Sequence, residues 1–507
     1  MPHEPNSTVR RINLLLLALV VLWCVYWFFH AWNYWEDDAY IHLEFARSVS
    51  NGQGFAFNGR VVAGDTAPMW VLLLVTVHAF LVKWMIAGKV LTVLGAALGF
   101  SGIYTFAERL ARKLPDAVDA SIFPWAMVAL VAVNPFTCYW IFSGMEPIAG
   151  AGLACWAVLL ATCNNPTRSS FLTGCLLAGI GPLVRPEMTF LAVLLAVPMI
   201  GQWRRLEQRR TWQTFALGLL LFCGPLLAWS AYSLHAFGHV LPNTNAAKRA
   251  GPNESVVRHL VSIYGMGFPL VLAAVVGAFS YAVVRAGRVW RSLSSSALSL
   301  WDARATGSGM PAESWIFILW ALIATMFYIV NHTYVQTRYI LVTAPGLLVV
   351  IVAGLLMLSH SMGRVLYGIA LVEAVAISIL IARPLVYNKG LECQASAKLA
   401  AYMRRDLPPG APVATYSIGE IAFLSQHPII DTGGITRPEA LQFSNGSPES
   451  QARWAQTEGA QYFIGVKPQP NSVLMFAAPK KFVSWTLNPS RYEEPTRIEL
   501  WKLEPAD

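Results

Sequence analysis

Most of the chain alternates long apolar runs with short polar breaks. A helix needs about 20 largely apolar residues to cross the hydrocarbon core of a bilayer. Candidate spans of that kind lie near 12–32, 88–107, 121–142, 148–163, 171–184, 188–202, 213–236, 261–284, 315–330, 339–358 and 365–382. Pro182 and Pro186 interrupt 171–202, so that stretch reads either as two crossings or as a dip into the membrane and back. Met69–Ile86 is apolar enough for one more span. Counting it would turn ERLARK (108–113), RRLEQRR (204–210) and Arg285, Arg288 and Arg291 outward. Lys and Arg favour cytoplasmic loops, so 69–86 is expected to be interfacial or re-entrant, with His78, Lys83 and Trp84 at the headgroups. The expected topology has about eleven spans, an inside N-terminus held by Arg10 and Arg11, and an outside C-terminus. The first span ends in Trp27, Phe28, Phe29, Trp32, Tyr34 and Trp35 rather than in small residues, so it reads as a retained helix and not a cleaved signal.

The pattern changes after Arg383. Residues 384–507 contain no span and are rich in Pro, Gly and charge. LECQASAKLAAYMRRDL reads as an amphipathic helix, and PVATY, PIID, QYFIGV, FVSWTL and RIELWKL read as short strands. The expected fold is therefore a mostly α polytopic membrane domain, 1–383, followed by a small mixed α/β domain, 384–507, on the extracytoplasmic side.

Composition agrees with lipid as the main solvent. Of 507 residues, 55% are hydrophobic and 13% charged, against roughly 25% charged in soluble domains. The net charge of +9 is what cytoplasmic basic loops produce, and no nucleic-acid partner is inferred from it. The sequence has no zinc-type Cys/His spacing, no Walker loop and no GxGxxG after a strand. Six of the seven cysteines (24, 138, 155, 163, 175, 223) sit in or beside apolar runs, which excludes a disulfide framework.

The polar residues with chemical potential collect in the loops expected outside. WEDDAYIHLEFAR (35–47) follows the first span, and SNGQGFAFNGRVVAGDTAP, SGMEP (143–147), RPE (185–187), GHVLPNTNAAKRAG and NHTYVQTRY come after it. If 37–50 is helical, Asp37, Ile41 and Glu44 share one face, and Asp38, His42 and Phe45 share another. Adjacent carboxylates raise one another's pKa, which suits a general base or a cation site. The same acids also suit a helix N-terminus, where they cap orphan amides and complement the dipole. Lys248, Arg249, Arg185 and Arg338 lie where topology disfavours cations. They read either as ligands of a phosphate or as partners of headgroups, Glu146 and Glu187. SNGQGFAFNG lacks the strand-and-helix setting of a nucleotide cradle and reads as a tight loop that shapes a cavity.

The ordered set DDAYI, GQGFAFNG, AGDTAPMW, SGME, RPE, LPNT…AK and TRY, followed by IGEIAFLSQHPIIDTGG, resembles the GT-C class of integral-membrane glycosyltransferases. Within that class it is similar to the arabinofuranosyltransferase branch, which includes the mycobacterial terminal arabinan transferase and pilin arabinosyltransferases. The resemblance covers most of the chain. It implies a multi-pass protein of the bacterial inner membrane with an active site on the extracytoplasmic face. It implies a polyprenyl-phosphate sugar donor and a glycan, lipid or protein acceptor. It also implies catalysis by an Asp in the first outer loop, Asp37 or Asp38, with donor phosphate on Lys248, Arg338 and Arg185. Glu44, Glu146, Glu187, Asn243 and Thr244 are then expected to contact substrate. No cofactor is required; a divalent cation shared by Asp37, Asp38 and Glu146 is compatible with the residues but not demanded by them. Two positions depart from the pattern: Glu44 stands where many relatives carry Arg, and Ala63 where they carry Glu. The rival reading, a transporter or flippase for an anionic lipid-linked substrate, would place charges near mid-membrane and show internal repeats. Here the charges gather at span ends.

Overall fold

The computed structural model describes residues 7–81, 83–114, 116–206, 211–249, 255–278, 280, 311–444, 448–465, 472–482 and 492–503. Helix α1 (Ser7–His30) runs directly into the segment that carries α2 (Asp37–Ser50). A two-stranded hairpin, β1 (Ala56–Phe57) and β2 (Arg60–Val61), precedes α3 (Pro68–Phe80) and α4 (Trp84–Ala111). At 13 residues, α3 is about 20 Å long, short of the ~30 Å hydrocarbon core. The chain turns after it, and His78 stacks on Trp84 with ring centroids 3.5 Å apart.

The expected helix 121–142 is two helices, α5 (Ala117–Ala132) and α6 (Pro135–Trp140). Asn134 makes the break: its side chain accepts from the amides of Phe136 and Thr137, and Pro135 opens the next helix at a position that needs no N–H. Then follow α7 (Pro147–Ala161), α8 (Arg168–Val184), α9 (Met188–Arg204), α10 (Trp212–Phe237) and the single turn α11 (Thr244–Ala247). The expected span 261–284 is also broken, at Phe268–Pro269, between α12 (Val256–Gly267) and α13 (Pro269–Ala278). Helices α14 (Ala312–Val330) and α15 (Thr337–Leu358) complete the bundle. Helices α4 and α7 touch backbone to backbone, since a Cβ at Gly152 would lie 2.4 Å from Gly99 Cα.

Helix α16 (His360–Ile377) passes through a π turn at Ser378–Ala382 into α17 (Arg383–Asp406) without ending. The expected domain boundary at 383/384 is therefore the middle of one helix. Its 47 residues extend about 70 Å, more than twice the hydrocarbon core, so its polar half carries the chain beyond any bilayer. Among the described residues, six helices are long and apolar enough to span: α1, α4, α10, α14, α15 and the α16–α17 rod. The other apolar helices, among them α3, α7, α8 and α9, are shorter. The eleven expected spans thus divide into these two classes, within a multi-pass helical membrane protein.

The C-terminal part is a five-stranded mixed sheet in the order β4-β3-β5-β7-β6. Strand β3 (Val413–Thr415) pairs parallel with β4 (Ile429–Asp431) and with β5 (Tyr462–Gly465). Strand β7 (Tyr492–Lys502) runs antiparallel to β5 and to β6 (Ser472–Phe482), an 11-residue strand that the sequence pattern did not anticipate. Helix α18 (Ile418–Ser425) crosses between β3 and β4 and packs on α2. Arg285, Arg288, Arg291, most of RRLEQRR and most of FVSWTL lie outside the described residues.

A buried lysine fixes the path between α1 and α2. Lys89 Nζ, on a side chain only 3% exposed, donates to the carbonyls of Ala31 at 2.9 Å, Tyr34 at 2.8 Å and Phe142 at 2.6 Å. Its three donors meet three backbone carbonyls, which offsets the cost of burying the ammonium. The start of α2 is thereby held against the loop that carries SGMEP.

Candidate functional site

Asp37 and Asp38 open α2, yet neither they nor Glu36 make a side-chain cap at its N-terminus. Their side chains diverge. Asp38 Oδ2 receives Lys248 Nζ at 2.9 Å and an Arg338 Nη2 contact. Asp37 Oδ1 accepts the amide of Glu420 at 2.9 Å, at the start of α18. The two adjacent acids therefore have different duties, one toward a cavity and one toward the C-terminal domain.

The cavity has a volume of about 290 Å³ and is lined by Asp38, His42, Asp65, Arg185, Glu187, Thr244, Asn245, Lys248, Tyr328 and Arg338, with apolar walls including Ile41, Met145 and Phe327. Lys248 ends α11, and its carbonyl accepts the amide of Tyr334 at 2.9 Å. An isolated bridge between Arg249 and Thr333 and an Asn331–Asn245 hydrogen bond of 3.0 Å stitch the same two loops together. Arg338, in the first turn of α15, is 2% exposed, with its guanidinium 5.2 Å from the Trp140 ring centroid. Its Nε and Nη1 are buried with no hydrogen-bond partner among the described residues. An unsatisfied buried guanidinium is costly, and Arg338 is among the residues that line the cavity.

A second network backs the first. His42 Nδ1 lies 2.6 Å from Asp65 Oδ2, and His42 Nε2 lies 3.5 Å from Glu146 Oε2. Arg185 reaches Glu146 through Nη1 at 2.7 Å and Glu187 through Nη2 at 2.8 Å and Nε at 3.1 Å. Arg185 and Glu187, two apart, would not face each other on a helix. They pair here because the Pro186 break between α8 and α9 leaves Arg185 extended. Tyr328 donates to Glu187 Oε1 at 3.0 Å.

Protonation follows from these contacts. Burial pushes the Asp38 carboxyl up, but Arg338 and Lys248 outweigh it and hold the group ionised at any ordinary pH. Burial disfavours a charged His42, yet Asp65 and Glu146 raise it to about 10, so it is an imidazolium. Glu146 is pushed up by burial and pulled down to about 2 by His42 and Arg185. Four carboxylates (Asp38, Asp65, Glu146, Glu187) thus face four cations (His42, Lys248, Arg185, Arg338), and the site is close to neutral without a ligand.

Asp37 behaves oppositely. Burial, with help from Asp38 and Glu36, raises it to about 7 against the amides of Glu420 and Gly419. The folded protein holds this proton more tightly than the unfolded chain does. The stabilisation is fully present below about pH 4 and is lost as the pH rises through 7. Asp37→Asn keeps the acceptor for the Glu420 amide and removes the ionisation. We expect it to raise the melting temperature at pH 8 more than at pH 5; an equal shift at both would contradict the assignment.

The structure brings together Asp38, Lys248, Arg338, Arg185, Glu187 and Thr244 at the cavity, with Glu146 directly behind Arg185 and His42. It sets others apart. Asp37 does not line the cavity. Glu44 is buried against Arg47, which also donates to the Phe423 carbonyl at 3.1 Å, so Glu44 serves the α2–α18 packing. Asn243 contributes a backbone bond to the Ala63 carbonyl at 2.9 Å and is not among the lining residues. His42 and Asp65 also line the cavity and are not among the site residues expected from sequence. Asp65 stands three residues before Pro68, which opens α3, and accepts the Ala67 amide at 2.6 Å, so it also serves the start of that helix. The clue lay in AGDTAPMW falling on the same loop as WEDDAYIHLEF.

A domain of unknown function (DUF8728) matches residues 385–501. No curated protein matches the chain. The whole chain superposes on the crystal structure of ArnT from Cupriavidus metallidurans bound to undecaprenyl phosphate. The TM-score is 0.54 at 13% identity, covering 96% of this chain and 97% of that one. The apo form of the same protein gives 0.53 at 13%, covering 97% and 98%. The oligosaccharyltransferase AglB from Archaeoglobus fulgidus, in complex with an inhibitory peptide and a dolichol-phosphate, gives 0.43 at 13%, covering 91% and 70%. This chain has the GT-C type of fold, a polytopic helical membrane protein with a small mixed α/β C-terminal domain.

Proposed function

We propose that the protein is an integral-membrane glycosyltransferase that takes its sugar from a polyprenyl-phosphate donor. The observation that carries this reading is the Asp38–Lys248–Arg338 cluster: a carboxylate and two cations at one cavity, with two guanidinium nitrogens unpaired among the described residues. The whole-length similarity to a protein crystallised with undecaprenyl phosphate supports the choice of lipid.

The chemistry follows from charge. An acceptor hydroxyl is a poor nucleophile and gains from a carboxylate base, typically by 10²–10⁴-fold. The leaving lipid phosphate gains negative charge as the glycosidic bond breaks, and Lys248 and Arg338 stabilise it. Asp38 paired with both cations is too weak a base. When the donor phosphate arrives it competes for the same two cations, which loosens their hold on Asp38 and raises its proton affinity. Donor binding therefore prepares the base. Arg185, fully committed to Glu146 and Glu187, holds the cavity wall and leaves the phosphate to the other two cations.

On the motif order in the sequence, the sugar is arabinofuranose and the acceptor a glycan, lipid or protein on the outer face of a bacterial inner membrane. Lys248 and Arg338 supply the electrostatics that a divalent cation would otherwise bring. Purified protein is expected to bind undecaprenyl phosphate saturably, with unchanged affinity in a chelator and at least ~10-fold weaker binding in Lys248→Ala. Equal affinity for neutral undecaprenol, or for the phosphate in Lys248→Ala, would overturn the phosphate assignment.

A further inference from the structure

Among the described residues that line the cavity, Ile435 alone comes from the C-terminal domain. It belongs to the loop DTGGIT (431–436), which leaves the parallel strand β4. One carboxylate organises that loop. Asp431, fully buried, accepts the amides of Gly433 at 2.7 Å, Gly434 at 3.1 Å and Thr436 at 2.6 Å, and the Thr436 hydroxyl at 3.1 Å. Gly434 has φ +81°, and a Cβ there would fall 2.4 Å from Leu441 Cδ2, so the turn accepts only glycine. The far side of the loop is wedged against the membrane part: a Cβ at Gly64 would stand 3.3 Å from Thr436 Cγ2 and 3.6 Å from the Ile435 carbonyl. The loop is therefore rigid and seated on the loop that carries Asp65.

We propose that this loop is the specificity-determining wall of the site, and that Ile435 sets the size of the sugar the cavity admits. The inference rests on the transferase reading above and gives the domain of unknown function a task within it. The volume, about 290 Å³, is at the low end of the ~300–1,000 Å³ typical of small-molecule sites. In so small a space a single methylene discriminates between ligands by roughly 10–200-fold. Ile41 on α2 and Phe327 on α14 also line the cavity, but each is fixed by its helix, so an apolar side chain on the rigid loop of the C-terminal domain is the simplest place to vary size.

The test measures kcat/KM for wild type, Ile435→Val and Ile435→Ala on polyprenyl-phosphate pentose, hexose and N-acetylhexosamine donors. Ile435→Val keeps a β-branched side chain and thins the wall by one methylene, so it folds even if the larger truncation does not. The expected result is a larger-to-smaller sugar ratio that rises in steps, by about 10-fold or more in Ile435→Ala. A ratio unchanged in both variants, with all donors slowed equally, would make Ile435 a packing residue only and overturn the inference while leaving the transferase reading intact. A wild-type protein that binds undecaprenyl phosphate but consumes no donor would instead overturn the transferase reading.

Discussion

Asp38→Asn is expected to lower kcat by 10²–10⁴-fold while the protein still inserts and elutes as wild type. Asparagine fills the same volume and can accept one hydrogen bond, but it cannot take the acceptor's proton. The second half of the expectation is more specific. Asp38 occupies Lys248 and Arg338 in the absence of ligand, so removing its charge frees both for the donor phosphate. KM should therefore stay constant or fall as kcat collapses, the pattern of a lost transition-state role combined with relief of ground-state competition. A rise in KM with kcat unchanged would show that Asp38 binds substrate and is not the base. The contrast with Asp37→Asn is sharp, because Asp37 faces the Glu420 amide and not the cavity.

Arg338→Ala comes next in size. Arg338 is buried, backed by Trp140, and offers two nitrogens without a partner among the described residues. Deleting one donor aimed at developing negative charge typically costs 10²–10³-fold in turnover. The loss should fall mainly on kcat, since the phosphate gains charge only as the bond breaks. Arg338→Lys should recover only part of it, because an ammonium cannot hold Asp38 and a phosphate oxygen through a planar fork. Full recovery by lysine would reduce the role of Arg338 to that of a point charge.

The membrane character and the presence of a mixed α/β C-terminal part were readable from hydrophobic run lengths and their end, because lipid demands continuous apolar helix. Breaks inside those runs were not. Asn134–Pro135 and Phe268–Pro269 divide stretches whose hydropathy alone reads as continuous. The long rod α16–α17 was missed for the opposite reason: composition changes at Arg383 while the backbone hydrogen bonding continues. At the site, Asp38, Lys248, Arg338, Arg185 and Glu187 could be named from charges at span ends, although their pairing could not. Which of Asp37 and Asp38 faces the cavity depends on where α18 docks, some 380 residues later in the chain. His42 was placed only on a helix face with Asp38 and Phe45, and Asp65 only within its loop motif. Their partnership appears only when the loop of Asp65 folds back on α2.

Transfer of a sugar from a lipid phosphate at the Asp38–Lys248–Arg338 cluster can be measured by incubating the purified protein in lipid nanodiscs with a panel of radiolabelled polyprenyl-phosphate sugars and an acceptor extract. Wild type is expected to consume one class of donor and release polyprenyl phosphate, and Asp38→Asn to retain binding but release none. Release at the same rate by wild type and Asp38→Asn, or no donor consumed by wild type, would contradict it.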